Sequence, residues 1–175
     1  YIDAKYIDIK REIRQSIKDG FVAGDWLFLY GAIRSGRTYA AIATINKKYI
    51  GKDSQIAFLN SPKRCKELCD LYFKSRQDFD ELMKAYSEVD CLVFDDFGQE
   101  LKSKLLRDNI LYVILSKRAS ENKMTIFTSD FSLAEICKLY SKLKDDTNDV
   151  MSNRFCELLK TKIKNGLETS PLTLY

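Results

Sequence analysis

"LFLYGAIRSGRTYA", residues 27–40, decides the fold. Four apolar residues run into a glycine-bounded turn and then into a helix-forming segment, the order strand, loop, helix. The pattern GxxxxGK[ST] has a physical basis. Glycine-permitted backbone N–H groups wrap phosphates, a lysine reaches the outer phosphates, and the Ser/Thr hydroxyl holds magnesium. Gly31, Gly36 and Thr38 fit that pattern, Ser35 lies inside the loop, and Arg37 stands where the lysine belongs. A working phosphate-binding loop and the remnant of one are both consistent with this stretch.

Outward from the loop, strand and helix patterns alternate. "QIAFLN" (55–60), "DCLVFD" (90–95) and "TIFTS" (125–129) read as further strands, and "PLTLY" (171–175) as a weaker one. Helical spacing fills the intervals at 37–50, at the paired segments 62–73 and 78–87, at 102–118 and at 148–163. Leu105, Leu106, Ile110, Val113 and Ile114 fall on one side of the 102–118 segment. Ile2, Tyr6, Ile9, Ile13 and Ile17 recur at helical spacing before "DG". They predict an amphipathic helix over 2–18 that leads, by residue 20, into one α/β domain spanning 21–175, a parallel sheet covered on both faces.

With 175 residues, 45% hydrophobic and 31% charged, the composition is that of one globular domain. No apolar run is long enough to cross a bilayer, and the expected location is cytoplasmic. The chain opens on Tyr1 rather than Met, which suggests an excised or cleaved piece lacking an N-terminal region. The absence of histidine removes Ser-His and Cys-His nucleophile pairs and most catalytic zinc sites. Cys65, Cys69, Cys91, Cys137 and Cys156 have no paired CxxC spacing and read as buried thiols, with Cys65 and Cys69 as a conceivable metal half-site. A net charge of +4 allows an acidic partner without demanding one.

"VDCLVFDDFGQE", residues 89–100, is a buried-strand pattern ending in two aspartates. Such a strand delivers carboxylates to a magnesium-nucleotide site, Asp95 supporting the metal and Asp96 polarising the attacking water. Alone it could be a strand ending in a polar turn. One strand-helix-strand excursion after the loop, it favours nucleotide binding.

Together, "LFLYGAIRSGRTYA", "DDFGQE", "LLRDNILYVILSKRASENKMTIFTSDFS" and "MSNRFCELL" resemble the AAA+ domain of bacterial replicative helicase loaders, the DnaI/DnaC family, and more closely its DnaI branch. The likeness runs from about Gly24 to Lys162 and implies a three-layer P-loop core with a five-stranded parallel sheet in the order 5-1-4-3-2. It implies a Walker A loop over Gly31–Thr38, holding nucleotide through Gly31, Ser35, Gly36, Arg37 and Thr38. Thr38 and Asp95 would serve Mg2+, Asp96 would complete the Walker B pair, and Glu100 matches the trailing acidic residue. Asp130 falls on the sensor 1 position, usually asparagine. Arg154 matches the arginine finger supplied to a neighbouring subunit, a reading favoured over a surface arginine beside a buried stripe. Arg107 and Arg118, eleven residues apart, match basic residues of the family and read as sharing one helix face, functional or merely solvated. Only 21 residues follow Arg154, too few for a helical lid domain.

Lys63, Arg64, Lys66, Lys74 and Arg76 lie where initiator-type AAA+ domains insert a DNA-touching helical element, interleaved with Tyr72 and Phe73. Acidic neighbours dilute that signal, so single-stranded DNA contact and a solvated helix pair both remain open. The resemblance implies an ATP/ADP- and Mg2+-binding helicase loader that self-associates and meets the replicative helicase, single-stranded DNA and other primosome or initiator proteins. Alternatives are an IstB-type transposition helper ATPase and a nucleotide-independent primosome adaptor. Because Arg37 and Asp130 should face one phosphate site, an arginine-carboxylate pair, bidentate in form, is expected to close it when nucleotide is absent and to leave weak ATP hydrolysis.

Overall fold

The computed structural model describes residues 3–23, 25–143, 149–164 and 166–169. Its centre is an all-parallel sheet of β1 (Leu27–Tyr30), β2 (Ile56–Asn60), β3 (Cys91–Asp95), β4 (Met124–Ser129) and β5 (Gly166–Glu168). The strands lie in the order β2-β3-β4-β1-β5, which is the expected 5-1-4-3-2 read from the other edge. The fifth strand is Gly166–Glu168, and "PLTLY" lies outside the described residues.

Strand side chains alternate faces with period two, and two cores result. Leu27, Leu29, Cys91, Val93 and Ile126 face one way, onto α1 (Arg11–Ala23) and α2 (Arg37–Tyr49). Phe28, Leu92, Phe94 and Phe127 face the other way, toward α3 (Ser61–Lys74), α4 (Arg76–Glu88), α5 (Tyr112–Ser120), α6 (Leu133–Ser141) and α7 (Asp149–Lys162). On that second face Phe94 and Phe127 stack at 5.3 Å, and Tyr140 packs against Phe97 and Phe155. Each buried aromatic contributes about 1.5–3 kcal/mol by leaving water. Local chemistry sets the helix starts. Asn60 caps α3 with Pro62 in its first turn, Ser75 caps α4, and Ser132 with Glu135 forms a capping box on α6.

Two expected elements differ. Instead of one helix over 2–18, Tyr6–Asp8 form a 3-10 turn, Ile9 is extended, and α1 runs through Gly20 to Ala23. Contacts with α2 override the local period: Asn46 donates to the Ala4 carbonyl, Lys5 N–H donates to the Tyr39 hydroxyl, and that hydroxyl donates to Asp8. Gly20 inside α1 costs about 1 kcal/mol of helix propensity, which the burial of Ile17 outweighs. The second difference lies ahead of α5, where Leu105–Leu111 form a π-helical segment. Its wider turn shifts the phase of everything after it. Leu106, Ile110, Leu111, Ile114 and Leu115 are buried, whereas Val113, expected on the apolar side, is 46% exposed.

Arg107 and Arg118 are both fully buried, so neither forms part of a solvated face or of the phosphate site. Arg107 donates to the Tyr140 carbonyl and pairs with Asp108. Arg118 donates to the carbonyls of Tyr86, Val89 and Met124 and to the Thr125 hydroxyl. Arg107 ties the π-helical segment to α6, and Arg118 ties α5 to the end of α4 and to β4, each through backbone oxygens that would otherwise be left unpaired. Among the described residues no helix is long and apolar enough to cross a membrane.

Candidate nucleotide site

The carboxyl ends of β1, β3 and β4 converge beside the start of α2, the position where open parallel sheets bind ligands. The register opposes Tyr30 with Ser129, so Gly31 and Asp130 leave the sheet side by side. The loop between β1 and α2 uses left-handed backbone at Arg34 (φ 66°) and Gly36 (φ 85°), the latter serving as N-cap of α2. That turn aims the first free N–H groups of α2 outward, a ready cradle for phosphate.

Thr38 and Asp95, the two residues expected to serve Mg2+, meet directly: Thr38 Oγ1 donates to Asp95 Oδ1 at 2.9 Å. A residue not singled out from the sequence fixes this carboxylate. Thr128, at the end of β4, donates from Oγ1 to the same Asp95 oxygen at 2.7 Å and accepts the Asp96 N–H at 3.0 Å. Asp96 then turns with φ 56°, a conformation aspartate tolerates, which swings its carboxylate out of the strand. Burial raises the Asp96 carboxyl above its ordinary value, and the nearby Asp95 charge adds to the effect. The oxygen-rich, hard donor set of Thr38 and Asp95 fits Mg2+, which takes one or two carboxylates and completes its shell with water and phosphate oxygens.

Arg37 and Asp130 come together as expected, but not as a bidentate fork. Arg37 Nη1 donates to the carbonyls of Gly31 and Ser129 and forms an ion pair with Asp130 Oδ1. That nitrogen has only two hydrogens, and both carbonyls claim them. The Asp130 contact is therefore charge attraction without a directed hydrogen bond, and Oδ1 accepts none. Asp130 Oδ2 instead accepts from Gln99, a second residue not anticipated. The guanidinium side chain is 9% exposed and points back across the mouth of the loop.

Ser35 and Gly31 are held from the end of β5, the edge strand beside β1. Ser35 Oγ and Thr169 Oγ1 lie 2.6 Å apart, and Thr169 N–H donates to the Tyr30 carbonyl. A Cβ on Gly31 would sit 2.4 Å from the Thr169 carbonyl oxygen. Thr169 had no motif to reveal it.

Glu100 is buried away from the loop. Its carboxylate accepts the Gly98 N–H and the Tyr140 hydroxyl, and burial raises its pKa. It braces the turn after β3 against α6. Arg154 lies exposed on α7. Of the cations expected to touch DNA, Arg64 pairs with Glu67, Lys66 with Asp70 and Arg76 with Asp80 along their own helices. Lys63 and Lys74 are exposed, as is the Phe73 ring at 78%. All five cysteines are free thiols, and no group of three metal-ligating side chains forms among the described residues, so Cys65 and Cys69 gain no third ligand.

Comparison with known proteins agrees with this geometry. The chain is 27% identical over 154 residues to the chromosomal replication initiator protein DnaA of Mycoplasma pneumoniae, covering 79% of this chain and 34% of that protein. It is 27% identical over 113 residues to the replicative helicase loader DnaI of Bacillus subtilis, covering 65% and 35%. It thus spans about a third of the length of the curated relatives it matches. A crystal structure of DnaI superposes with TM-score 0.78 at 24% identity, over 97% of this chain and 92% of that one. A replication initiator DnaA bound to AMPPCP and single-stranded DNA superposes with TM-score 0.66 at 17% identity, over 95% and 49%. The family model for the bacterial DnaA ATPase domain matches residues 11–154, and with the AAA+ core, strand order and loop described above, the chain belongs to that family and is a DnaI-like AAA+ domain.

Proposed function

We propose that this chain is the nucleotide-binding module of a helicase loader, which binds ATP or ADP with Mg2+, self-associates, and helps place the replicative helicase on single-stranded DNA during replication initiation. The observation that carries the reading is the Thr38–Asp95 contact at 2.9 Å beside the start of α2, a metal-ready pair next to a phosphate cradle. Mg2+, when bound, would supply positive charge that neutralises the phosphates. Thr38 and Asp95 would hold it, the α2 N–H groups would take the phosphates, and Asp96 would orient the attacking water. Arg154 from an adjacent copy would offset charge on the transferred group. The DnaA neighbour that binds AMPPCP and single-stranded DNA supports the same assignment by shared fold.

A second reading has a specific observation behind it. Arg37 spends its charge on Asp130 and two carbonyls, as it would in a nucleotide-independent adaptor that keeps the fold and docks primosome proteins. An IstB-type transposition helper would share the site but has no observation of its own. Titrating ATP and ADP with and without Mg2+ separates the readings. The loader reading expects Mg2+-dependent affinity that Asp95→Asn abolishes. The adaptor reading expects no nucleotide binding in either condition.

A further inference from the structure

Cys137 on α6 and Cys156 on α7 bring two sulfurs together where the helices pack. The Cys156 thiol donates to the Cys137 carbonyl at 3.7 Å, and the Cys137 thiol in turn donates to the Cys156 sulfur. We propose that Cys137 and Cys156 form a hydroperoxide-reactive dithiol, which oxidation closes into a disulfide joining α6 to α7. The proposal goes beyond the nucleotide reading and does not depend on it.

Three observations carry it. The first is position. The two cysteines lie 19 positions apart on different helices, so a bond between them ties two elements together. Cys65 and Cys69 share α3, and a bond there would tie nothing to anything else. The second is access. Cys137 and Cys156 are 8% and 9% exposed, against 1% and 0% for Cys65 and Cys91. An oxidant as small as hydrogen peroxide meets the first pair at the surface, while the other two are sealed in the core. The third is charge. Burial raises the thiols of Cys65, Cys69 and Cys91 above their ordinary value and so keeps them protonated. Cys156 goes the other way. The hydrogen bond from the Cys137 thiol lowers it against the cost of burial, and the Lys160 and Arg107 charges also favour its thiolate. Lys160 stands four residues on, one turn along the same face of α7. Cys137 is raised by that same hydrogen bond and by burial, and stays the neutral partner. Because the thiolate is the nucleophile, the roles divide: Cys156 attacks and Cys137 resolves.

The chemistry balances with one hydroperoxide as oxidant. The Cys156 thiolate attacks a peroxide oxygen; the S–O bond forms as the O–O bond breaks, and the other oxygen leaves as hydroxide. The sulfur, oxidised by two electrons, is then a sulfenic acid. The Cys137 sulfur attacks it, the S–S bond forms, and the S–O bond breaks. The departing hydroxide takes the Cys137 proton and leaves as water. Exchange with an external thiol restores the pair. Arg154 lies two residues before Cys156 on α7, so the disulfide would hold against α6 the helix that carries it.

The test treats the unaltered chain with hydrogen peroxide in the presence of a chelator, alkylates the remaining thiols in denaturant, and maps the peptides by mass spectrometry. The expected product is a Cys137–Cys156 cross-link within one chain, lighter by two hydrogens and reversed by dithiothreitol. Cys65, Cys69 and Cys91 should still be alkylated. Cys137→Ser should abolish the cross-link and leave on Cys156 a sulfenic acid that dimedone traps. Cys156→Ser should abolish both products and leave Cys137 alkylated. The unaltered chain alone keeps the proposal falsifiable should either serine variant fail to fold. A cross-link that involves Cys65, Cys69 or Cys91, one that joins two chains, or a full set of alkylated thiols after peroxide each overturns it. So does dimedone trapped on Cys137 in place of Cys156. None of these readouts uses nucleotide, so such a failure leaves the loader reading standing.

Discussion

Replacing Arg37 and Asp130 singly and together probes the loop whose sequence carries an arginine in the lysine position of the GxxxxGK[ST] pattern. The ion pair joins a guanidinium side chain 9% exposed to a carboxylate side chain 25% exposed. At an effective dielectric near 20 and a separation of 4 Å, two unit charges attract by about 4 kcal/mol before desolvation is subtracted. Contacting residues in such networks couple by about 0.5–3 kcal/mol. A coupling of about 1–2 kcal/mol is therefore expected here, equivalent to roughly 5–30-fold in an equilibrium constant. The pair competes with nucleotide, since the guanidinium is held on Gly31, Ser129 and Asp130 and is unavailable to phosphate until released. The apparent affinity then falls by the fraction of molecules with a freed guanidinium. Asp130→Asn alone should raise ATP affinity modestly, because the two carbonyls still hold Arg37. Arg37→Lys alone should gain little, because Asp130 still repels an incoming phosphate. The double variant should exceed the sum of the singles by the coupling energy. Isothermal titration with AMPPCP, paired with steady-state turnover, reads both quantities. Strictly additive changes, or an unaltered protein that already matches the double variant, would refute the latch.

Other outcomes follow from residues away from the loop. Mixing Arg154→Ala with Asp96→Asn should restore part of the ATPase activity that each lacks, because one intact site can meet one intact finger; a mixture that assembles yet stays inactive would remove Arg154 from the reaction. Arg118→Met should cost about 3–5 kcal/mol by leaving the carbonyls of Tyr86, Val89 and Met124 unpaired. Thermal melting should then fall by about 6–20 °C with nucleotide affinity unchanged. Glu100 has a raised carboxyl pKa in the fold, chiefly through burial. Its favourable contribution is present below the unfolded value and is lost as pH rises through the folded one. Glu100→Gln, permanently neutral, should therefore gain stability relative to the unaltered protein as pH rises above the ordinary carboxyl range; denaturant midpoints that move in parallel would contradict this.

The loop, the strands of the sheet interior and the placing of Asp95 and Asp96 at the end of β3 were legible because each rests on local sequence: glycines at fixed spacing, four-residue apolar runs, a terminal Asp-Asp. Strand order came through the family likeness rather than from periodicity, and the sheet carries it. What failed to show depends on contacts distant in sequence. Thr169 reaches Ser35 across 134 residues, and Thr128 reaches Asp95 across 33. Neither has a spacing rule. The supposed shared face of Arg107 and Arg118 assumed an uninterrupted 3.6-residue turn, which the π-helical segment at Leu105–Leu111 invalidates. Helix 2–18 failed because α2 supplies better partners for Ala4, Lys5 and Asp8 than another helical turn would. The pairing of Arg37 with Asp130 was foreseeable only once strand adjacency was assumed, and its fork geometry was misjudged because carbonyl competitors are invisible in a sequence.

Gly31 shows what a phosphate-loop signature can and cannot diagnose. Its missing side chain leaves room for the Thr169 carbonyl, a neighbour belonging to the protein itself. A descendant of this chain that abandoned nucleotide altogether would still need glycine there for as long as β5 kept its place. The first glycine of the motif thus testifies to architecture, and residue 37, which nothing in the sheet obliges to be a lysine, testifies to chemistry. A search that weighs both positions equally will go on finding nucleotide sites in proteins that have stopped using them.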